Sequence, residues 1–485
     1  MVATNSPFKD ALRLWMALGL AQLLSLVRGF WVPHFLTPAD YGLLGTILLI
    51  QSYSAYLHLG VLYALSREVP LEIARGNYDL AQSISRTAMT LNLILLIPLI
   101  LGCVITALVI PDPQTSLIFI VLSMLIPLSR LEFYSDNQLK SHMRMGVIST
   151  ASSLGAVISF AMIIPAVWLW GLPGALGAML VSAIYPVLHK GLGGGLVAPG
   201  WDSKVARRVL GIGFPLFLLN FSGFLFLVAD RTTILSILGK EALGYYTIGV
   251  VVAGFLTLIP VNLAFAFSPR ILARYGKTND PASLGDYLHK PYQGSAIISG
   301  LAAGGAVILL PTVLGNLLPV YLPGLGAAMV AAVAAVMIGV VSLPNEVLIT
   351  LGRQKLMIPL KLVTLVLAAA GDWFVLTSGW GLVAVACINL IVYSAYTAWL
   401  TIWAERLTSS AHKGIWWRLL LTEARVLLPG ALAALLLWGT STALGNGLSD
   451  WLTLAIALPL WLALTLPWSL WLLRDGIRLL KGSEL

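Results

Sequence analysis

The chain has 485 residues, of which 59% are hydrophobic and only 10% charged, with a mean hydropathy of +0.91. Soluble domains carry about 25% charged residues, so this composition excludes a soluble enzyme or binding module and points to an all-α polytopic membrane protein. The formal net charge of +9 requires no nucleic-acid partner, because the basic residues cluster beside apolar runs, where they act as topology signals next to an anionic leaflet.

A helix crosses the hydrocarbon with roughly 20 apolar residues, and about fourteen such runs follow one another along the chain. The links between them are short and leave no room for a soluble catalytic domain. The start, MVATNSPFKDALRLW, leads directly into the first run without a short apolar core or a small-residue cleavage site. It reads as a retained helix rather than a removable signal peptide. In that helix Leu18, Ala21, Gln22, Ser25 and Arg28 share a face. Span two carries Gln51, Ser54 and His58 on one stripe, the pattern of polar glue between packed helices. The link REVPLEIARGNYDLAQSISR, Arg67 to Arg86, alternates charged with apolar residues, as an interfacial amphipathic helix would, or as a segment touching a substrate headgroup or a partner enzyme. Cys103 and Cys387 lie inside apolar runs and read as small buried hydrophobes.

Charges embedded in apolar runs are the functional candidates, since each costs about 2.5 kcal/mol or more near the bilayer centre. LSRLEFYSDNQL holds Arg130, with Glu132 and Asp136 nearer one end of the span. Arg130 reads as cavity lining or as half of an interhelical ion pair. FLFLVADRTTILSILG sets Asp230 beside Arg231, and Gly213, Asn220, Gly223, Leu227 and Arg231 form one stripe. Small and polar residues beside an arginine suit a wet, anion-accepting wall, because a guanidinium pairs with phosphate in bidentate fashion. The competing readings are an Asp230 paired with a basic neighbour on another helix and an Arg231 that snorkels to the interface. Glu346 in LPNEVLI and Asp372 in AAAGDWF complete the embedded acids. With Asp230 they are candidates for ion coupling or gating, as is Asp136 by its depth. Pro98, Pro127, Pro165, Pro215, Pro260 and Pro344 predict bent helices.

Basic residues fall on alternate links: 25 of the 29 Lys and Arg sit on the side that holds the N-terminus, and only Lys240 on the other. That bias places both termini in the cytoplasm. The halves also repeat. Laying VRGFWVPHFLTPADYGLLGTI on ADRTTILSILGKEALGYYTIGV sets Leu36 on Leu238, Gly42 on Gly244, and Arg28 on Asp230, one position from Arg231. The expected organisation is an N-terminal lobe of six spans (residues 1–200), a C-terminal lobe of six (201–408), and two appended spans with a cytoplasmic tail (409–485).

The stretch RGFWVPHFLTPADYGLLGTILLIQSYSAYLHLGVLYALSREVP resembles the first two spans of the O-antigen and exopolysaccharide flippases of the multidrug/oligosaccharidyl-lipid/polysaccharide (MOP) superfamily. GFPLFLLNFSGFLFLVADRTTILSILGKEALGYYTIGV resembles their seventh and eighth, with the marks Gly213 and Pro215, Asp230 and Arg231, and Gly244 and Tyr246. The resemblance covers roughly residues 10 to 400. It implies a MATE-like fold of two pseudo-symmetric six-helix lobes plus two C-terminal helices, working by alternating access in a bacterial inner membrane. The substrate it implies is undecaprenyl-diphosphate-linked oligosaccharide, moved to the outer leaflet for lipopolysaccharide or exopolysaccharide synthesis under an ion gradient or membrane potential. Arg28 and Arg231 would supply the cationic cavity, with Arg130, Gln22 and Asn220 beside them. No cofactor is expected. The partners implied are the lipid-linked substrate, membrane lipids and polysaccharide polymerase or assembly proteins. Asp372 departs from the asparagine that relatives often carry there, which leaves that position open between cation and sugar.

Two other readings stand beside this one. A cation-coupled exporter of the same fold would use Asp230, Glu346 or Asp372 as its coupling acid. A membrane glycosyltransferase or polymerase would need catalytic groups in a sizeable outer loop, whereas the outer links are short and His34 is the only histidine near that face.

Overall fold

The computed structural model describes residues 7–408, 415–444 and 450–481. His412 and Lys413 of the predicted inner link, residues 445–449 of the predicted outer link, and the tail residues 482–485 lie outside the described residues. Fifteen α-helices follow in order: α1 (Pro7–Trp31), α2 (Pro38–Tyr56), α3 (Val61–Ala74), α4 (Tyr78–Val109), α5 (Pro113–Ser141), α6 (Met145–Lys190), α7 (Ser203–Ile237), α8 (Gly239–Thr278), α9 (Gly285–Leu317), α10 (Leu325–Val340), α11 (Ser342–Thr350), α12 (Gln354–Thr377), α13 (Gly381–Thr408), α14 (Ile415–Leu444) and α15 (Asp450–Lys481). The described residues contain no strand.

Local chemistry sets the breaks. In LTPADYG, Thr37 accepts a hydrogen bond from the Asp40 N–H and Pro38 opens α2; in PDPQ, Asp112 caps Thr115 and Pro113 opens α5. Each pairs an N-cap oxygen with a proline whose missing N–H would have had no helical partner. The 46 residues of α6 would extend about 69 Å as one rod, twice a bilayer. Gly171, at φ 59° and ψ −136°, reverses the chain, so α6 is two helices, and Gly174 lies so close to the Ala166 carbonyl that a Cβ would overlap it. Pro344 in the first turn of α11 coincides with the break after α10, where its ring would clash with a continuous helix.

Ten helices are long and apolar enough to cross a membrane, and α2 with α3, bent by 48°, makes eleven. Dividing α6 at Gly171 gives twelve, and α1 and α15 bring the passes to fourteen. The chain is a multi-pass membrane protein. The link Arg67–Arg86 corrects its expectation: instead of one interfacial helix, α3 runs to Ala74, Gly76 turns the chain at φ 80°, and α4 starts at Tyr78. A glycine takes that left-handed conformation without steric cost, so the two span ends meet in a tight turn.

Two compact units cover Met1–Phe224 and Leu225–Leu485. In the first, α3, α4, α5 and the start of α7 share a core built on Leu62, Leu65, Ile84, Tyr134 and Val209. The α2–α3 elbow presses on α7 at Gly60, where φ is 86°, and a Cβ on Gly60 or Gly213 would run into the other's carbonyl group. Gly213, expected on a wet wall, is thus buried packing surface. In the second unit, Ile234, Leu243, Tyr246, Ala327, Leu376 and Ala386 join α7, α8, α10, α12 and α13. On α9, Gly300 and Gly304 let the α14 backbone approach at Arg425, Val426 and Pro429, and the Trp461 indole of α15 donates to the Pro429 carbonyl at 2.9 Å. Cys103 is buried and Cys387 exposed, both as free thiols.

Candidate transport site

The second unit gathers three of the predicted residues. A cavity of about 300 Å3 is lined by Asp230 and Arg231 of α7, Tyr246 of α8, and Asn389 and Tyr393 of α13, and small residues of α10 such as Ala331 leave it open. Asp230 is buried. Its Oδ2 accepts the Tyr246 hydroxyl proton at 2.6 Å, and its Oδ1 accepts the Arg231 backbone N–H at 2.7 Å. The Arg231 guanidinium is only loosely paired with that carboxylate, at 3.8 Å from Nε. Its Nη2 turns back to the Leu227 carbonyl at 2.7 Å. Asp372 of α12 is completely buried and lies in electrostatic range of Asp230, Tyr246 and Tyr393. Among the described residues, neither Asp372 carboxylate oxygen has a hydrogen-bond partner, and neither does Asn389 Nδ2.

Glu346, grouped with these acids by sequence, is held elsewhere. Its Oε2 accepts the Ser268 hydroxyl proton at 2.6 Å, and it does not line the cavity.

The remaining candidates belong to the first unit. Arg28, in the last turn of α1, donates from Nη1 to Ser159 Oγ of α6 at 3.1 Å. This partner is neutral, so the guanidinium keeps its charge unmatched there. Gln22 is half-buried six residues earlier on the same helix. Asn220 is exposed on α7 and donates to the Leu216 carbonyl of its own helix. Arg130 is 1% exposed. Its Nη1 donates to the Ala55 carbonyl at 2.8 Å, while Nε and Nη2 have no partner among the described residues. It closes on the end of α2 beside His58, whose Nδ1 accepts the Gly60 N–H at 2.8 Å. The span-two stripe behaves as glue: Gln51 donates to Ser129 of α5.

Glu132 and Asp136 are not bare. Both contact Nζ of Lys190 at 2.8 Å, and Lys190, counted by sequence as a link residue, is the last residue of α6 and 1% exposed. A second cluster pairs Arg208 of α7 with Glu68 and Glu72 of α3 at 2.6 and 2.7 Å.

A family model described as polysaccharide biosynthesis protein matches residues 32–299, more than half of the chain. The chain belongs to this family. Among solved structures, the polysaccharide biosynthesis protein is similar to the Lipid II flippase MurJ in an inward closed conformation, with 14% identity and a TM-score of 0.69 over 96% of this chain and 99% of that one. A multidrug resistance MATE family transporter of the MOP superfamily, inward-facing, gives 15% identity and a TM-score of 0.67 over 82% and 100%. A MOP superfamily transporter from Pyrococcus furiosus Vc1 gives 16% and 0.58 over 83% and 96%. The search of curated proteins gave no match. At these identities the likeness carries the fold: this polysaccharide biosynthesis protein has the MATE-like transporter fold.

Sequence reasoning missed Tyr246 as the hydroxyl on Asp230, together with Asn389 and Tyr393. Tyr246 was marked only through the family resemblance, and Asn389 and Tyr393 offer just their position: polar side chains on an apolar helix at the depth of an embedded acid.

Proposed function

We propose that the protein is a flippase that moves polyprenyl-diphosphate-linked oligosaccharide, of the undecaprenyl type, from the cytoplasmic to the outer leaflet of a bacterial inner membrane. It works by alternating access of lobes 1–200 and 201–408, with 409–485 appended and both termini cytoplasmic. The observation that carries the reading is Arg28: a membrane-embedded guanidinium in a chain of the polysaccharide biosynthesis family, held by a serine and matched by no carboxylate among the described residues. A charge that costly to embed earns its place when an anion such as a diphosphate arrives. In the first unit Gln22, Asn220 and Arg130 are the supporting candidates; in the second unit Arg231 is a separate anion-accepting candidate, since its pairing to Asp230 is long. The glycan occupies the wet path and the polyprenyl chain stays in lipid.

The driving step belongs to Asp230 and Asp372. Asp230 faces the cavity beside Arg231, Asp372 lies buried within electrostatic range of Asp230, and the bare Asp372 oxygens call for a proton or a monovalent cation. Glu346, tied to Ser268, serves as a gating acid. Transport of this kind makes and breaks no covalent bond, and it links the protein functionally to the polymerase and assembly proteins that receive the glycan.

The test is to deplete the protein and quantify lipid-linked oligosaccharide on the cytoplasmic leaflet. Accumulation is expected, reversed by the wild type and at least tenfold less by Arg28→Ala at equal protein level. Full rescue by Arg28→Ala overturns the role of Arg28. Absence of accumulation, with solute efflux lost instead, favours the cation-coupled exporter that the bare Asp372 also suits.

A further inference from the structure

The first unit has a second cavity on its Lys/Arg-rich face, far along the helices from Arg28. It measures about 500 Å3 and is lined by Tyr78 and Gln82 of α4, Gln138 and His142 at the end of α5, Arg144 in the turn that follows, and Gly194. Part of the Arg67–Arg86 link thus forms a wall of a pocket.

The lining has a specific chemistry. Gln138 is 4% exposed, and its Oε1 has no hydrogen-bond partner; a buried acceptor left unmatched costs about 1–3 kcal/mol. Gln138 lines the pocket, so an N–H or O–H donor seated beside it is the partner that this acceptor lacks. His142 Nδ1 lies 2.9 Å from the Gln138 carbonyl oxygen. With the proton assigned to Nδ1 by that contact, Nε2 is a second acceptor. Arg144 supplies the cation. Its Nη1 donates to the Gly193 carbonyl at 2.8 Å, which fixes the guanidinium beside the glycine turn, and its other nitrogens stay free to bond. Tyr78 is 67% exposed at the rim and offers a ring face, and Gln82 offers an amide that both donates and accepts. No carboxylate lines the space.

We propose that this pocket binds a nucleoside phosphate. A bare inorganic anion would engage Arg144 alone and leave the Gln138 and His142 acceptors without donors. A lipid chain would leave Gln138 Oε1 unmatched. A nucleobase supplies N–H groups to Gln138 and His142, lays its plane against Tyr78, and carries a phosphate to Arg144. Pockets of this volume are of the size that hold such ligands. The site contains none of the glycine-rich phosphate loop of a hydrolase, so it reads the ligand rather than consuming it.

The test uses the purified full chain in lipid nanodiscs and isothermal titration with uridine, guanosine and adenosine diphosphates, and with inorganic phosphate. Saturable binding of at least one nucleotide is expected, at least tenfold tighter than phosphate. It should weaken at least tenfold in Arg144→Ala and in Gln82→Ala, both at exposed positions, and in Gln138→Leu, provided the melting temperature of each is unchanged. Absence of saturation by 1 mM nucleotide overturns the proposal. So does equal binding of inorganic phosphate, insensitivity to all three variants, or full competition by phosphatidylglycerol, which would make this an anionic-lipid site. The readout involves no transport, so its failure is separable from failure of the flippase reading.

Discussion

Lys190 and Asp372 are both buried charges in apolar helices, one in each compact unit, and their surroundings are opposite. Lys190 ends a helix and is clasped by Glu132 and Asp136 at 2.8 Å. Asp372 sits inside α12 with both oxygens unbonded. A buried charge that is clasped holds helices together and is costly to break, whereas one that is bare awaits something that moves. Sequence position alone does not separate the two cases; the neighbours on other helices do.

The sharpest way to break the comparison is Lys190→Met. It removes the buried cation between Glu132 and Asp136, which are 34% and 23% exposed, so solvent screening should hold the cost to about 3 kcal/mol, the low end for a broken buried pair, read as a fall in melting temperature and in folded yield. Asp372→Asn should do the reverse: melting temperature unchanged or raised, with transport reduced at least tenfold and no longer responsive to the imposed ion gradient in proteoliposomes. If Asp372→Asn unfolds the protein and Lys190→Met does not, the distinction collapses. Tyr246→Phe removes the hydroxyl that Asp230 accepts at 2.6 Å and should cost about 1.5–3 kcal/mol, measured by denaturant titration, with a changed ion dependence of transport. The smallest effect belongs to Arg208→Lys. Arg208 bridges Glu68 and Glu72 but is 36% exposed, so solvent screening should hold the loss below about 1 kcal/mol; a larger loss would place this cluster in the Lys190 class.

The bundle was legible because apolar run length and basic-link alternation act over whole segments. The helix starts at Thr37 and Asp112 were legible too, since a cap and a proline are local chemistry. The candidate site was half legible. Asp230, Arg231 and Asp372 announced themselves as charges in apolar runs; in the second unit Asp230 and Arg231 line one cavity and Asp372 lies buried in electrostatic range of it. Tyr246, Asn389 and Tyr393 did not, because a neutral polar residue on a helix gives no hint of which neighbour it meets. Glu346 went to Ser268, since equal depth in two helices does not mean a shared face. Lys190 was read as a link residue because nothing local marks the helix as continuing to it; its acid partners lie 58 and 54 positions away in sequence.

The two glycines of α9 have a consequence for truncated chains. Gly300 and Gly304 leave a notch that the α14 backbone fills between Arg425 and Pro429. A chain cut after residue 408 would turn that notch to the acyl chains, which cannot follow its contour as closely as a helix does. The shortened protein would carry a ready adhesive strip, and its first fault in the membrane would be self-association rather than unfolding.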